Sequence, residues 1–317
     1  MPMTRIMQSF RISLVLLGCA LLSACATAPY QYPHIDIQSL SAVELSATPF
    51  HPQEEFQCGP AALATVLQVA GVSDIEPDDL TPQVYIPGRE GSLQTELLAA
   101  TRRAERIPFV IPRQLDALFA EVNAGYPVLV LQNLGFSRFP IWHYAVVIGV
   151  DPRQQHVILR SGTTEREVMS FAKFERSWRL GQYWGMVVPP VGQTPRTLSA
   201  LDYYAAVTAV EQQGRRELAA QGYTVGIKRW PNEAIGYLGL GGLAYQQGDF
   251  ADAEEHFYRV TELQPRQAAG FFNLAWAFQR QGKHQEALDA ARVAAKLAPE
   301  HPRYGQAEVL IAKDQQN

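Results

Sequence analysis

An α+β domain followed by an all-α domain of helical hairpins is what the sequence predicts, and three observations predict it. Apolar residues at helical spacing crowd residues 58–123, and continuous β-branched runs crowd residues 128–188. Beyond residue 198, Pro231, Pro265 and Pro299 recur 34 residues apart, a repeat period. Between the two parts, Val188-Pro189-Pro190-Val191-Gly192-Gln193-Thr194-Pro195 carries no core pattern, so residues 189–197 read as a linker.

The chain opens with Arg5 and Arg11 and no acid, then runs almost wholly apolar from Ile12 to Ala24. This is the pattern of a secretory signal, too short to span a bilayer as a stable helix. Leu22-Ser23-Ala24-Cys25 resembles the bacterial lipoprotein box, which makes residues 1–24 a lipoprotein signal peptide and Cys25 the lipidated first residue of the mature chain. Ala26 in place of Asp resembles an outer-membrane sorting signal, so the expected location is the cell envelope of a diderm bacterium, lipid-anchored and facing the periplasm. Several acyl chains anchor firmly where one binds only marginally. Residues 25–49 read as a tether away from the membrane.

The rest of the composition is ordinary: 317 residues, 47% hydrophobic, formal net charge −4. Nothing is basic enough to suggest nucleic acid. Of three cysteines, Cys19 leaves with the signal and Cys25 is consumed by lipid, so Cys58 remains as the free thiol of an exported protein. A disulfide framework or Cys-based metal site is thereby excluded, and no metal or cofactor is expected. An exported free thiol is an oxidation hazard unless it has a use.

Its neighbours suggest one. In Gln57-Cys58-Gly59-Pro60, proline suits a first helical turn, and Leu63, Val66, Leu67 and Ala70 form the apolar face of a helix running to about Gly71. Cys58 then stands at the positive end of a helix dipole, which favours thiolate and is expected to lower the thiol pKa. The Gln57 amide and the Cys58 main-chain N–H could together hold the oxyanion of a tetrahedral intermediate. The alternative is that Cys58 is merely a small buried hydrophobe.

Residues 73–87 contain Pro77, Pro82 and Pro87 and read as irregular. Ser92 is placed to cap a second helix over residues 93–103, and a third spans residues 113–123. Val128 to Gln132 is a buried strand, Asn133 to Ile141 a loop, and Trp142 to Val150 a long strand with His143 at its head. Turn residues at 151–154 return the chain as a strand over 155–160. A further piece over residues 167–170 ends before residues 171–178, and residues 183–188 read as the last strand. A histidine heading a strand after a cysteine heading a helix is the arrangement of a nucleophile and its base.

Gln57-Cys58-Gly59-Pro60, Gly91-Ser92-Leu93, Gly125-Tyr126-Pro127-Val128, His143-Tyr144-Ala145-Val146-Val147, Phe171-Ala172-Lys173-Phe174 and Trp178 together resemble the C39 and C39-like cysteine peptidases. The resemblance covers residues 50–188 and implies a papain-like α+β fold, with Gln57 as oxyanion donor, Cys58 as nucleophile and His143 as base. C39 members of bacteriocin exporters cut leader peptides after a double glycine. The family's Asp, usually followed by Pro, at the end of the strand after the histidine strand is not matched, since this chain reads Arg160-Ser161-Gly162. Asp151-Pro152 lies eight residues beyond His143, roughly 26 Å along a strand, at the wrong end. Folding the hairpin instead returns Ser161 or Gly162 opposite His143, so the orienting group is Ser161 Oγ, a main-chain carbonyl or a residue from elsewhere.

The 34-residue period is the tetratricopeptide (TPR) spacing, and residues 198–313 read as an all-α TPR helical-hairpin domain, clearest over 234–267 and 268–301. Tyr203, Tyr204, Val207 and residues 218–223 supply a degenerate first unit, and the aromatic stripe reads as packing between helices. Asn273 is a candidate contact to a peptide backbone. The whole reads as a lipid-anchored periplasmic cysteine peptidase whose repeats recruit substrate or a protein partner. Alternatives are a catalytically impaired peptide-binding scaffold, or a thiol amidase or acyltransferase.

Overall fold

The computed structural model describes residues 41–53 and 57–314, without the side chains of residues 312–314. The signal, Cys25 and most of the tether lie outside the described residues.

The first segment is not all tether. Val43–Glu44 (β1) adds to the sheet, Val43 facing Val150 and Glu44 facing Gly149. Glycine is needed at 149, since a Cβ there would stand 2.9 Å from the Val43 carbonyl oxygen. A buried arginine holds the residues just after β1: the Arg160 guanidinium donates to the main-chain carbonyls of Ser46 and Thr48, and to that of Glu165. Residues 43–48 thus belong to the folded domain because an interior cation takes their carbonyls as its acceptors.

The cysteine helix, Cys58–Val69 (α1), is buried from Gly59 to Leu67. The proline-rich stretch after it contains a helix, Pro77–Val84 (α2), against expectation. Pro77 sits at the helix start, and Glu76 and Asp79 form a reciprocal capping box. The two-turn helix is short enough to tolerate Pro82, and Leu80 and Val84 anchor it in the core. Tyr85–Ile86 (β2) then pairs with Gly91–Ser92 (β3). Ser92 is therefore a strand residue and not a cap; the helix Gln94–Arg103 (α3) starts from Leu93 with no side-chain cap.

Phe109–Val110 (β4), the helix Leu115–Asn123 (α4), Val128–Asn133 (β5), Trp142–Asp151 (β6), His156–Ser161 (β7), Thr164–Ser170 (β8), the helix Phe171–Leu180 (α5) and Gly185–Val187 (β9) complete the first domain. Its sheet is antiparallel in every pairing, in the order β4-β9-β5-β6-β7-β8, with β1 on β6. Alternation along the strands assigns the faces. Leu129 and Leu131 of β5 and Tyr144, Val146 and Ile148 of β6 pack with α1, α2 and α3. The alternate residues, Gln132 and His143 among them, turn to the face where Gln132 Nε2 donates to Ser177 Oγ of α5 at 2.7 Å.

The second part is built of antiparallel helix pairs: Ala200–Glu211 (α6) with Arg216–Arg229 (α7), Ala234–Gln247 (α8) with Phe250–Leu263 (α9), Ala268–Arg280 (α10) with His284–Leu297 (α11), then Pro302–Asp314 (α12). The aromatic stripe is packing, as expected: Phe257 and Leu274 are buried in one cluster. Small residues permit the close crossings, for a Cβ on Gly241 would meet Phe257 at 2.6 Å.

The linker is pinned. Both oxygens of the fully buried Glu121 carboxylate on α4 accept from the Arg196 and Thr197 main-chain N–H groups, at 2.8 and 2.7 Å, and one also accepts from Thr197 Oγ1. From the other side, Arg229 donates to Thr194 Oγ1, the Pro195 carbonyl and the Arg196 carbonyl. Phe109 stacks on Tyr203 with ring centres 5.0 Å apart, so the first helix pair packs directly on the first domain.

Candidate active site

Three elements meet at Cys58. It is the first residue of α1, with Gln57 before it in the capping position, and both are half-buried. The Gln57 carbonyl accepts from Ala61 N, while its side-chain amide does not cap the helix. Gly59 lets β3 close on the first turn: a Cβ there would lie 2.3 Å from Ser92 Oγ. Among the described residues that buried hydroxyl has no hydrogen-bond partner. The Tyr144 phenol from β6 completes the wall, donating to the Ser92 carbonyl at 3.2 Å.

Burial pushes the Cys58 thiol above its ordinary pKa, and the main-chain N–H groups of Tyr144, Gly59 and Cys58 itself only partly oppose it. This corrects the expectation of a lowered value: the helix end does favour thiolate, but desolvation outweighs it. The resting sulfur is a neutral thiol, held among three main-chain donors. One of these donors belongs to the residue next to His143.

His143 is half-buried near the head of β6. Burial pushes the imidazole below its ordinary pKa, with the Glu167 carboxylate opposing. At neutral pH it is therefore an uncharged base. Its Nε2 lies 3.1 Å from Ser161 Oγ at the end of β7. The β6–β7 register pairs Val146 with Arg160, so Ser161 falls a diagonal step from His143 on the same face. Asp151, eight residues away, accepts from Arg153 N and Gln154 N and serves the turn.

Two roles were not legible in the sequence. Arg160 gives no sign of being buried, and its carbonyl acceptors at Ser46 and Thr48 are more than a hundred residues distant. Glu167, the acid that acts on His143, lies on β8 opposite Leu159, next to a register irregularity between Leu159 and Ser161. Among the described residues no cluster of His, Cys, Asp and Glu could hold a metal ion.

A cysteine heading a buried helix, set against a strand headed by histidine in an antiparallel sheet, is the architecture of a C39-like peptidase domain. Residues 46–184 match the Peptidase_C39 like family, and residues 204–268 and 243–302 match the tetratricopeptide repeat. The chain thus carries a domain of the C39-like peptidase family followed by tetratricopeptide repeats. Among solved structures, it is similar to a protein of Bacillus anthracis assigned as a C39-like peptidase, at 19% identity over 50% of this chain and 100% of that one, with a TM-score of 0.41. The first TPR of Spaghetti (RPAP3), bound to an HSP90 peptide, is 18% identical over 37% of this chain and 94% of that one, with a TM-score of 0.36. The type III secretion translocator chaperone SycD of Yersinia enterocolitica is 17% identical over 37% of this chain and 95% of that one, with a TM-score of 0.35. No curated protein matches the chain significantly.

Proposed function

We propose that the protein is a cysteine peptidase, anchored through lipid on Cys25 in the bacterial cell envelope and facing the periplasm, whose repeats recruit the substrate or a partner protein. One observation carries the reading: the Cys58 sulfur sits among the main-chain N–H groups of Cys58, Gly59 and Tyr144, beside the residue that carries an imidazole partnered by Ser161. With both groups neutral at rest, His143 takes the thiol proton as the sulfur attacks a peptide carbonyl. The Cys58 N–H and the Gln57 amide hold the oxyanion. His143 then gives its proton to the departing amine, leaving a thioester that water hydrolyses with His143 again as base. Ser161 stands where it would orient the ring, in the place of the family's missing carboxylate.

A second reading is a scaffold that grips peptides without cutting them. The thiol held protonated by burial, and the hydroxyl in place of an acid at the imidazole, favour it. A thiol amidase or acyltransferase would use the same Cys58 and His143 and differ only in the acceptor.

The test is the rate of iodoacetamide labelling of Cys58 at pH 7, with and without His143→Ala. Base assistance predicts labelling at least about tenfold slower in the variant. Equal rates would discard the coupled pair and favour the scaffold.

A further inference from the structure

Helix α3 ends on Arg102 and Arg103, and Glu105 and Arg106 follow it. Three of these four charges are paired. Arg103 Nε donates to Gln83 Oε1 at 2.7 Å, the Arg106 guanidinium donates to the Ala70 and Gly71 carbonyls, and Glu105 pairs with Arg215. Arg102 differs: its Nε is buried without a hydrogen-bond partner among the described residues. Burial pushes the guanidinium below its ordinary pKa, and no carboxylate opposes the shift. The group still carries its charge at neutral pH. It therefore lacks the pairing that charges withdrawn from water ordinarily have.

Arg102 lines an open cavity of about 430 Å³ between the first domain and α6. That is the size of a small-molecule site. Leu98, one turn before Arg102 on α3, forms its walls with Phe109, Ile111 and Leu198. The space is left because α6 contributes Ala205, Ala206 and Ala209 to the lining, where longer side chains would fill the gap. The other charged residue of the lining is Asp202, which is exposed and accepts from Ser199 Oγ at 2.6 Å as part of the α6 cap. One cation facing apolar walls, with one acid at the exposed side, suits a singly charged head on a hydrocarbon body better than a phosphate. We propose that this cavity binds a carboxylate on an aliphatic tail, in chemistry a fatty acid, with its head on the Arg102 guanidinium and its tail between Leu98 and the alanine face of α6. The guanidinium fork matches a carboxylate with two parallel bonds. The bound ligand would span α3 of the first domain and α6 of the repeats, bracing the joint between them. The inference is independent of whether Cys58 cuts peptides.

The experiment uses residues 25–317 with Cys25→Ser in place of the lipidated cysteine. Octanoate, decanoate and dodecanoate, each below its micelle concentration, are titrated by calorimetry, and the unfolding temperature is followed in parallel. One saturable site is expected, tightening about tenfold for every two methylenes added until the cavity is full. Saturating decanoate should raise the unfolding temperature. Decanol, which has the tail without the charge, should bind at least about tenfold more weakly than decanoate. Arg102→Gln should erase that difference, and Ala209→Phe, which fills the cavity, should weaken both at least about tenfold. Unfolding of each variant without ligand verifies its fold, and Arg102→Gln decides alone if Ala209→Phe does not fold. No saturable binding, affinity indifferent to tail length, or binding that survives Arg102→Gln unchanged would overturn the proposal. Inorganic phosphate bound as tightly as decanoate would also overturn it, reducing the site to a bare anion contact. The peptide acid N-acetyl-Leu-Leu bound more tightly than decanoate would overturn it as well, and would assign Arg102 to a peptide C-terminus.

Discussion

Gly59→Ala is a test of why glycine follows the nucleophile. The added methyl would stand 2.3 Å from Ser92 Oγ and 2.7 Å from Ser92 Cβ, distances that real Cβ atoms essentially never show. Ser92 cannot easily retreat, because β3 is paired to β2 and the Ser92 carbonyl holds the Tyr144 phenol. Overpacking of this kind costs about 1–3 kcal/mol, against a helix-propensity gain of roughly 0.5–1 kcal/mol for replacing glycine. The net expectation is a loss of about 1–2 kcal/mol. Urea unfolding of a soluble chain beginning at residue 41 would read it as a lower midpoint at unchanged slope. Ser92→Gly in the same chain removes both clashing atoms, so the double variant should show a coupling of at least about 1 kcal/mol. A Gly59→Ala protein as stable as the parent, or a double variant with no coupling, refutes the close approach of β3 to the cysteine turn.

Three further outcomes are expected at the imidazole and the buried arginine, and a fourth at the linker. Ser161→Ala removes the imidazole's partner and should slow Cys58 labelling at pH 7 roughly tenfold, the worth of about one hydrogen bond, with little change in unfolding. Because burial holds the imidazole below its ordinary value of 6.5, the His143-dependent part of labelling should persist as pH falls through 6.5 and disappear only below it; a loss centred above 6.5 contradicts the buried base. Arg160→Met strands the carbonyls of Ser46, Thr48 and Glu165, and should cost about 2–4 kcal/mol while opening residues 41–53 to limited proteolysis. Glu121→Ala should cost a similar amount, about 2–4 kcal/mol, and hydrogen exchange at the Arg196 and Thr197 amides should speed up in step.

What was legible in the sequence was what repeats locally. The helix on Cys58, the buried runs at Val128 and Trp142, and the 34-residue proline period all announce themselves within a few residues of their own positions. Ser161 was reachable as well, because a hairpin folded about residues 151–154 counts back to His143. The misses share a cause, namely dependence on distant partners. Residues 43–48 look like tether until Arg160 supplies their donors. Residues 77–84 look broken by proline until the capping box and the core contacts of Leu80 and Val84 are in place. The thiol's raised pKa comes from burial in the folded domain, which no flanking residue reports. Glu121 reads as an ordinary helix-surface acid, and nothing near it reveals three donors some 75 residues away.

That carboxylate alters what the helical repeats can be for. A Pro/Gly connection left loose would let them wander, so that a captured partner met the thiol only as often as its local concentration dictated. With Glu121 and Arg229 gripping residues 194–197 from both sides, and Phe109 stacked on Tyr203, the joint behaves as a bracket. A chain held in the repeats would then be measured as by a ruler, and the place of any cut set by its distance from the point of capture.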